Sequence, residues 1–297
     1  MQISTAHSYP PWLLRNNPRS SCIGKEASPG VYIANHSINC STNCRLEKSR
    51  AQNILWLLEE LELEYELVTF HRNKADNHAP PDLKKIHPLG KSPLISIAPS
   101  DGSEPIVLAE SGFITQYLCE HFGKDKTVVP KRYREGQEGK VGGETKEWLR
   151  WQYFLHFAEG TMMSAFMLGW VVSGLSSPQI PFFIRPITSM VGSKILANFI
   201  YPNVKGQLSF LEQQLSTSGG DYLCGEHLTA ADVLISFGLI TAKDKVSSFG
   251  DWDGSTPNTL YPKLYAYIAR LQNTPGYKKS VQKVKEIDDS LGIEFKL

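Results

Sequence analysis

The chain has little of what marks a secreted, metal-held or membrane-spanning protein. Its five cysteines (Cys22, Cys40, Cys44, Cys119 and Cys224) are odd in number, form no CxxC pair and share no metal-ligand spacing with histidine. Such usage fits a reducing compartment and argues against a disulfide framework or a zinc site. Charge of one sign is also missing: 31 basic and 30 acidic residues leave a net charge of +1, which gives no electrostatic footprint for nucleic acid. The basic clusters at Lys124–Lys126 and Lys278–Lys285 have acidic neighbours and read as solvated helix surface. No run reaches the ~18 consecutive apolar residues that a membrane span needs. The nearest, "IPFFIRPITSMVGSKILANFIYP", is broken by Arg185, Pro186 and Lys194 and reads as core or pocket lining, with contact to a membrane surface as the lesser reading. The N-terminus lacks a basic start followed by a sustained apolar stretch, so no signal peptide is expected. Without one, Asn35-His-Ser37 and Asn39-Cys-Ser41 are read as chance matches to the glycosylation pattern.

What is present is the composition of an ordinary globular protein, 41% hydrophobic, 21% charged and 10% aromatic. A length of 297 residues leans towards two domains. Residues 1 to 38, rich in Pro, Ser and Asn, are expected to be an irregular extension. Beyond them, Ile54, Leu57, Leu58 and Leu61 recur at i, i+3, i+4 and i+7, which predicts a helix over 50–61. "YELVTF" predicts a strand, and "LISIA" and "PIVLAE" predict a hairpin that feeds a helix from Ser111 to His121. From Thr145 onward strand signals fade and apolar periodicity takes over at 145–172, 190–216, 229–242, 260–272 and 275–288, the pattern of a helical bundle. Within it Thr229 stands three residues before Asp232, ahead of an apolar run, and predicts a structural capping box.

The stretch "AESGFITQY" poses a related question, because it too sets an acid and a hydroxyl at a helix start. Glu110 and Ser111 could cap the helix and do no more. They could equally complement an amino-acid head group, the carboxylate of Glu110 meeting an ammonium and the Ser111 hydroxyl and helix amides meeting a carboxylate.

Four stretches in register, "LEKSRAQNILWLLEELELEYEL", "APPDLKKIHPLGKSPLI", "VLAESGFITQYL" and "YLCGEHLTAADVLISF", resemble the cytosolic glutathione transferases, nearest to their fungal branch, which includes an enzyme associated with the endoplasmic reticulum. The resemblance covers about residues 44 to 290. It implies an α/β thioredoxin-like N-terminal domain followed by an all-α helical bundle domain, expected here over 39–124 and 140–297, in a homodimer. It further implies a cytoplasmic protein, with the surface of the endoplasmic reticulum as a possible address, serving detoxification or secondary metabolism.

By the same resemblance, Glu110 and Ser111 hold the γ-glutamyl end of glutathione. Pro93 is a cis-proline that turns the Ser92 backbone towards the cysteinyl residue, and Lys91 reaches the glycine carboxylate. Glutathione is a co-substrate, and no metal or permanently bound cofactor is implied. A thiol with a pKa near ~8.5 is only a few per cent ionised at neutral pH, so the chemistry needs a group that favours the thiolate. Ser49, just before the first helix, offers a hydroxyl donor beside a helix N-terminus, with Lys48 and Arg50 adding positive charge nearby. Cys44 offers a rival route, a mixed disulfide with glutathione as in glutathione-dependent reductases, although Arg45 and Leu46 replace the proline and aromatic residue that usually follow such a cysteine. A third reading keeps the fold and drops catalysis, leaving a binding or interaction module. A hydrophobic electrophile is expected against the first bundle helix, with Tyr153, Phe157 and Met162 as pocket candidates among Phe154, Met163 and Phe166.

Overall fold

The computed structural model describes residues 41–287 apart from 47, 48 and 77, with side chains from residue 46 onward. The expected extension over 1–38, Lys48 and the side chain of Cys44 lie outside the described residues. The chain divides into two compact units. The described residues up to Tyr117, together with those from Lys279, form the first, and Leu118–Lys278 form the second.

The first unit holds strands β1 (Ser41–Leu46), β2 (Tyr65–Phe70), β3 (Leu94–Ile97) and β4 (Ile106–Ala109) with helices α1 (Ala51–Glu60), α2 (Asp82–Ile86) and the start of α3 (Ser111–Phe122). The sheet order is β2-β1-β3-β4, with β1 parallel to β2 and antiparallel to β3, and β3 antiparallel to β4. This β-α-β unit followed by a hairpin and a helix is the thioredoxin-like arrangement. The polar stretch "STNCRL" is held as a strand by its place between two others, because central pairing satisfies its backbone on both edges. Leu46, Phe70, Leu83 and Leu94 make one core cluster.

Helix α1 was expected to be amphipathic, yet Ala51 to Leu58 are all buried, including Gln52 and Asn53. A helix buried all round needs cover on both faces. The second cover is α11 (Pro275–Ile287), where Val284 packs on Leu55 beside Tyr65 and Leu67, and Gln52 Nε2 donates to Ser280 Oγ at 2.7 Å. Periodicity grouped this last helix with the helical half, but its residues from Lys279 belong to the first unit. Its anchor is Glu59, whose side chain is only 5% exposed. That carboxylate accepts from the Tyr65 hydroxyl at 2.7 Å and lies 2.6 Å from Lys279 Nζ and 3.7 Å from Lys283 Nζ. Burial alone would raise the Glu59 pKa, but the bonds from Lys279 and Tyr65 and the charges of both lysines outweigh it and hold the carboxyl below the usual glutamate range.

The second unit is helical: α4 (Lys146–His156), α5 (Ser164–Ser173), α6 (Arg185–Ile195), α7 (Tyr201–Thr217), α8 (Ala230–Ala242), α9 (Pro257–Leu260) and α10 (Pro262–Asn273). π-helical turns at Phe157–Met163 and Leu196–Ile200 join α4 to α5 and α6 to α7, so each pair is one continuous helical run. Buried nearly all round, α8 is the unit's central helix. Its capping box is present as expected and extends further. Asp232 Oδ2 accepts from the Thr229 amide at 2.8 Å and its hydroxyl at 2.6 Å, while Oδ1 accepts from the Leu223 amide at 3.0 Å and the Tyr267 hydroxyl at 2.7 Å.

Two expectations follow. Asp232→Ala strands two buried amides and two hydroxyls, and urea unfolding should show a loss of about 3 kcal/mol or more. Because the Glu59 pKa is lowered on folding, its contribution is complete above the unfolded-state value and disappears as pH falls through the lowered one. Stability measured from about pH 5 down to about pH 3 should therefore fall, and Glu59→Gln should flatten that part of the curve.

Candidate functional site

The end of β1, the start of α1 and the entry to β3 meet at two hydroxyls. Ser92 Oγ accepts from the Leu46 amide at 3.1 Å and lies 3.3 Å from Ser49 Oγ. Ser49 is 7% exposed, and its oxygen accepts from the Ala51 amide at 3.3 Å, in the first turn of α1. Both hydroxyl oxygens thus accept from amides and lie within hydrogen-bond reach of each other. The Ser92–Pro93 peptide is cis, as the resemblance implies.

Around this pair lies a cleft of about 30 Å³ walled by Arg50, His87, Lys91, Ser92, Pro93, Glu110 and Ser111, with Leu89 and Ala109. It brings together Lys91, Ser92, Pro93, Glu110 and Ser111 and adjoins Ser49 through Ser92. The volume is that of about one water molecule, so a peptide would lie along the cleft rather than inside a closed chamber. Arg50 and Lys91 face one acid, Glu110, and the helix starts of α1 and α3 add further positive potential. The balance suits a ligand carrying more than one carboxylate and an amine.

Glu110 has the unusual backbone. Its φ is +71°, in the left-handed region that costs a non-glycine residue roughly 1–2 kcal/mol. It is exposed, and among the described residues its carboxylate has no hydrogen-bond partner, while its carbonyl accepts the first helical bond from Ile114 at 2.8 Å. Ser111 beside it is buried at 2%. Strain at an exposed acid with an unengaged carboxylate is what a ligand-binding position shows, and a cap alone does not require it.

Sequence reasoning gave no role to His87, which is 8% exposed and accepts the Leu89 amide on Nδ1 at 3.3 Å. The signal was the run "HPLGKSP". Gly90 closes this turn at φ +58°, where a Cβ would stand 2.6 Å from Lys84 Cγ.

In the second unit a cavity of about 450 Å³ is lined by Trp148, Gln152, Tyr153, His156, Phe157 and Thr161. Tyr153 is half exposed and stacks on Phe157, with ring centroids 5.8 Å apart. Phe210 of α7 lies 5.7 Å from Tyr153. Met162 does not fulfil its expected role: it is 1% exposed and packs against Gly238 of α8, a core position created by the π turn. Phe154, Met163 and Phe166 are core as well. Trp148, Gln152 and His156 recur at i, i+4 and i+8, a row that a search for apolar residues alone passes over.

Two thiols are chemically silent. Burial pushes Cys119 up to about 12, and burial together with the Asp232 charge pushes Cys224 well above the usual thiol range.

A four-stranded thioredoxin-like unit with a cis-proline cleft, followed by an all-helical unit, defines the architecture of glutathione-using transferases. Residues 46–120 match the glutathione S-transferase N-terminal domain family, and residues 191–283 match the C-terminal domain family. Glutathione S-transferase 1 of Saccharomyces cerevisiae is 31% identical over 242 residues, covering 82% of this chain and 94% of the yeast protein. The chain belongs to the glutathione S-transferase family. Among solved structures, a glutathione S-transferase from Actinobacillus pleuropneumoniae superposes with a TM-score of 0.57 at 26% identity, covering 82% of this chain and 92% of that one. The transferase URE2P8 of Phanerochaete chrysosporium, solved with oxidised glutathione, gives 0.59 at 17% identity, covering 86% and 99%. A disulfide-bond oxidoreductase of Escherichia coli, YfcG, is 35% identical over 100 residues, covering 33% of this chain and 42% of its own length.

The strained backbone yields an expectation. Glu110→Gly should leave stability unchanged or raise it by up to about 1 kcal/mol in thermal unfolding. The same variant should weaken glutathione binding by about ten-fold or more in calorimetry, the loss expected if Glu110 makes a charge-assisted bond to the ligand.

Proposed function

We propose that this chain is a glutathione transferase whose first unit binds glutathione along the cis-proline cleft and holds its sulfur as thiolate beside Ser49. The observation that carries the reading is the Ser49 hydroxyl, seated on the first amide of α1 and 3.3 Å from the Ser92 hydroxyl that borders the cleft. Glu110 pairs with the γ-glutamyl ammonium, Ser111 and the α3 amides take the adjoining carboxylate, the Ser92 backbone bonds the cysteinyl residue, and Lys91 meets the glycine carboxylate. Donation of the Ser49 hydrogen to sulfur favours the anion over the thiol. The thiolate then attacks an electrophilic carbon, forming an S–C bond and either displacing a leaving group or placing the electron pair on a conjugated acceptor. The aromatic cavity at Tyr153 and Phe157 is suited to hold an apolar electrophile, and the protein acts as a homodimer. The oxidised glutathione bound to the Phanerochaete relative supports the ligand class.

A second reading, a Cys44-dependent glutathione oxidoreductase, draws support from the likeness to the Escherichia coli disulfide-bond oxidoreductase. Cys44 lies within β1, its backbone paired with Val68 and Leu94.

Conjugation of 1-chloro-2,4-dinitrobenzene and reduction of hydroxyethyl disulfide by glutathione separate the two. Ser49→Ala should lower conjugation kcat/KM by roughly 10²-fold and move its pH profile to higher pH, as expected for loss of one donor to a developing or resident anion. Cys44→Ala should leave conjugation unchanged. Loss of disulfide reduction in Cys44→Ala, with Ser49→Ala unaffected in both assays, would replace the first reading with the second.

A further inference from the structure

Helix α6 is built inside out. Thr188, Ser189 and Gly192 face α5 and its following turn. Thr188 Oγ1 donates to the Leu175 carbonyl at 2.8 Å, and Ser176 Oγ bonds Ser189 Oγ at 3.0 Å. A Cβ on Gly192 would stand 3.2 Å from the Val172 carbonyl oxygen, so a side chain there would push the two helices apart by a few tenths of an ångström. The opposite face carries Ile187, Met190, Val191 and Ile195 at i, i+3, i+4 and i+8, exposed by 62%, 56%, 45% and 37%. A helix of a water-soluble bundle normally turns its apolar stripe inward. Small and hydroxyl residues between helices with bulky apolar residues outward is the pattern of helices whose surroundings are themselves apolar.

The turn before α6 continues that surface. Phe182 and Phe183 are 80% and 69% exposed, and Met167 and Val171 of α5 add 47% and 66%. The two phenylalanines alone leave roughly 200–350 Å² of ring in water, about as much as a monomeric protein's largest apolar patch. Their turn is fixed rather than loose: Arg185 donates to the carbonyls of Pro178 at 2.8 Å and Ile180 at 2.7 Å, and Pro178, Pro181 and Pro186 restrict the backbone.

Charge selects the occupant. From Gly160 to Leu211 there is no aspartate or glutamate, while Arg185, Lys194 and Lys205 are present. Lys194 is exposed on the same outward face of α6, whereas Lys205 is engaged with Asp253 at 2.6 Å. A partner protein surface usually meets a polar, solvent-accessible rim around an apolar core. An apolar face with cations and no acids complements an anionic lipid surface. None of the described helices is long and apolar enough to cross a membrane.

We propose that the α5–α6 hairpin is a docking site for an anionic lipid bilayer, with the Phe182–Phe183 turn and the outward face of α6 seated among the headgroups and Lys194 meeting the acidic ones. The test uses the full chain in flotation with vesicles of phosphatidylcholine alone or with added phosphatidylserine. The chain should float with the anionic vesicles and much less with the neutral ones. Phe182→Ser with Phe183→Ser should lower the bound fraction roughly ten-fold or more, and Lys194→Glu roughly five-fold, with circular dichroism melting unchanged in both. Failure of the wild-type chain to float, equal flotation with both vesicle types, or undiminished flotation of the double serine variant overturns the proposal. So does a fall in molecular mass on gel filtration caused by the double serine variant, which would show that a second copy covers this face.

Discussion

The Ser92 hydroxyl is the junction on which the glutathione-side geometry depends. It takes the last amide of β1, meets the Ser49 hydroxyl that tops α1, and belongs to the cis peptide that opens β3. The adjoining ends of β1 and α1 are thus held in register with the entry to β3, 43 residues beyond Ser49, by one small side chain. Each hydrogen bond here is individually modest, about 1 kcal/mol net. Their joint effect is positional: displacement of any one element moves the Ser49 and Ser92 hydroxyls relative to the cleft. Pre-organisation of donors, rather than strength of any single bond, is what makes such a site useful for stabilising an anion.

The buried α1 shows how far that junction relies on cover supplied from the end of the chain. With Ala51 to Leu58 all inaccessible, the helix would leave Gln52 and Leu55 in water if α11 were absent. The Glu59 cluster therefore acts at a distance on the site, because it holds the helix whose first turn seats Ser49. The first unit is assembled from both ends of the sequence, so its stability and the placement of its catalytic candidate are one problem.

Much of this was legible beforehand, and the parts that were not have identifiable causes. The hairpin from Leu94 to Ala109, the helices of the second half and the Thr229–Asp232 box follow from local patterns, and the structure contains them. Glu110, Ser111, Ser92 and Pro93 came to one cleft because the resemblance supplied the long-range register that local patterns lack. Periodicity tells which residues share a helix face but not what that face meets. For α1 it missed the second cover, and for α6 it could not reveal that the apolar stripe points outward. Met162 was misplaced for a similar reason: a π turn adds a residue to the helical cycle and rotates it from the expected pocket into the core against Gly238.

The two hydroxyl-and-acid helix starts carry the deepest contrast. "AES" and "LTAAD" look alike on paper, since each offers an oxygen and a carboxylate to the first turn of a helix. At Asp232 both carboxylate oxygens are occupied, each by two donors, and the residue is fully buried. Nothing remains for a ligand, so that acid is scaffold. At Glu110 the backbone enters the helix from a strained, left-handed conformation, and the carboxylate is left facing solvent. A cap could be made more cheaply by an aspartate or serine in relaxed geometry. A glycine would relieve the strain, so stability alone does not account for a glutamate here, and the proposed pairing with a ligand's ammonium offers a benefit outside the folded chain.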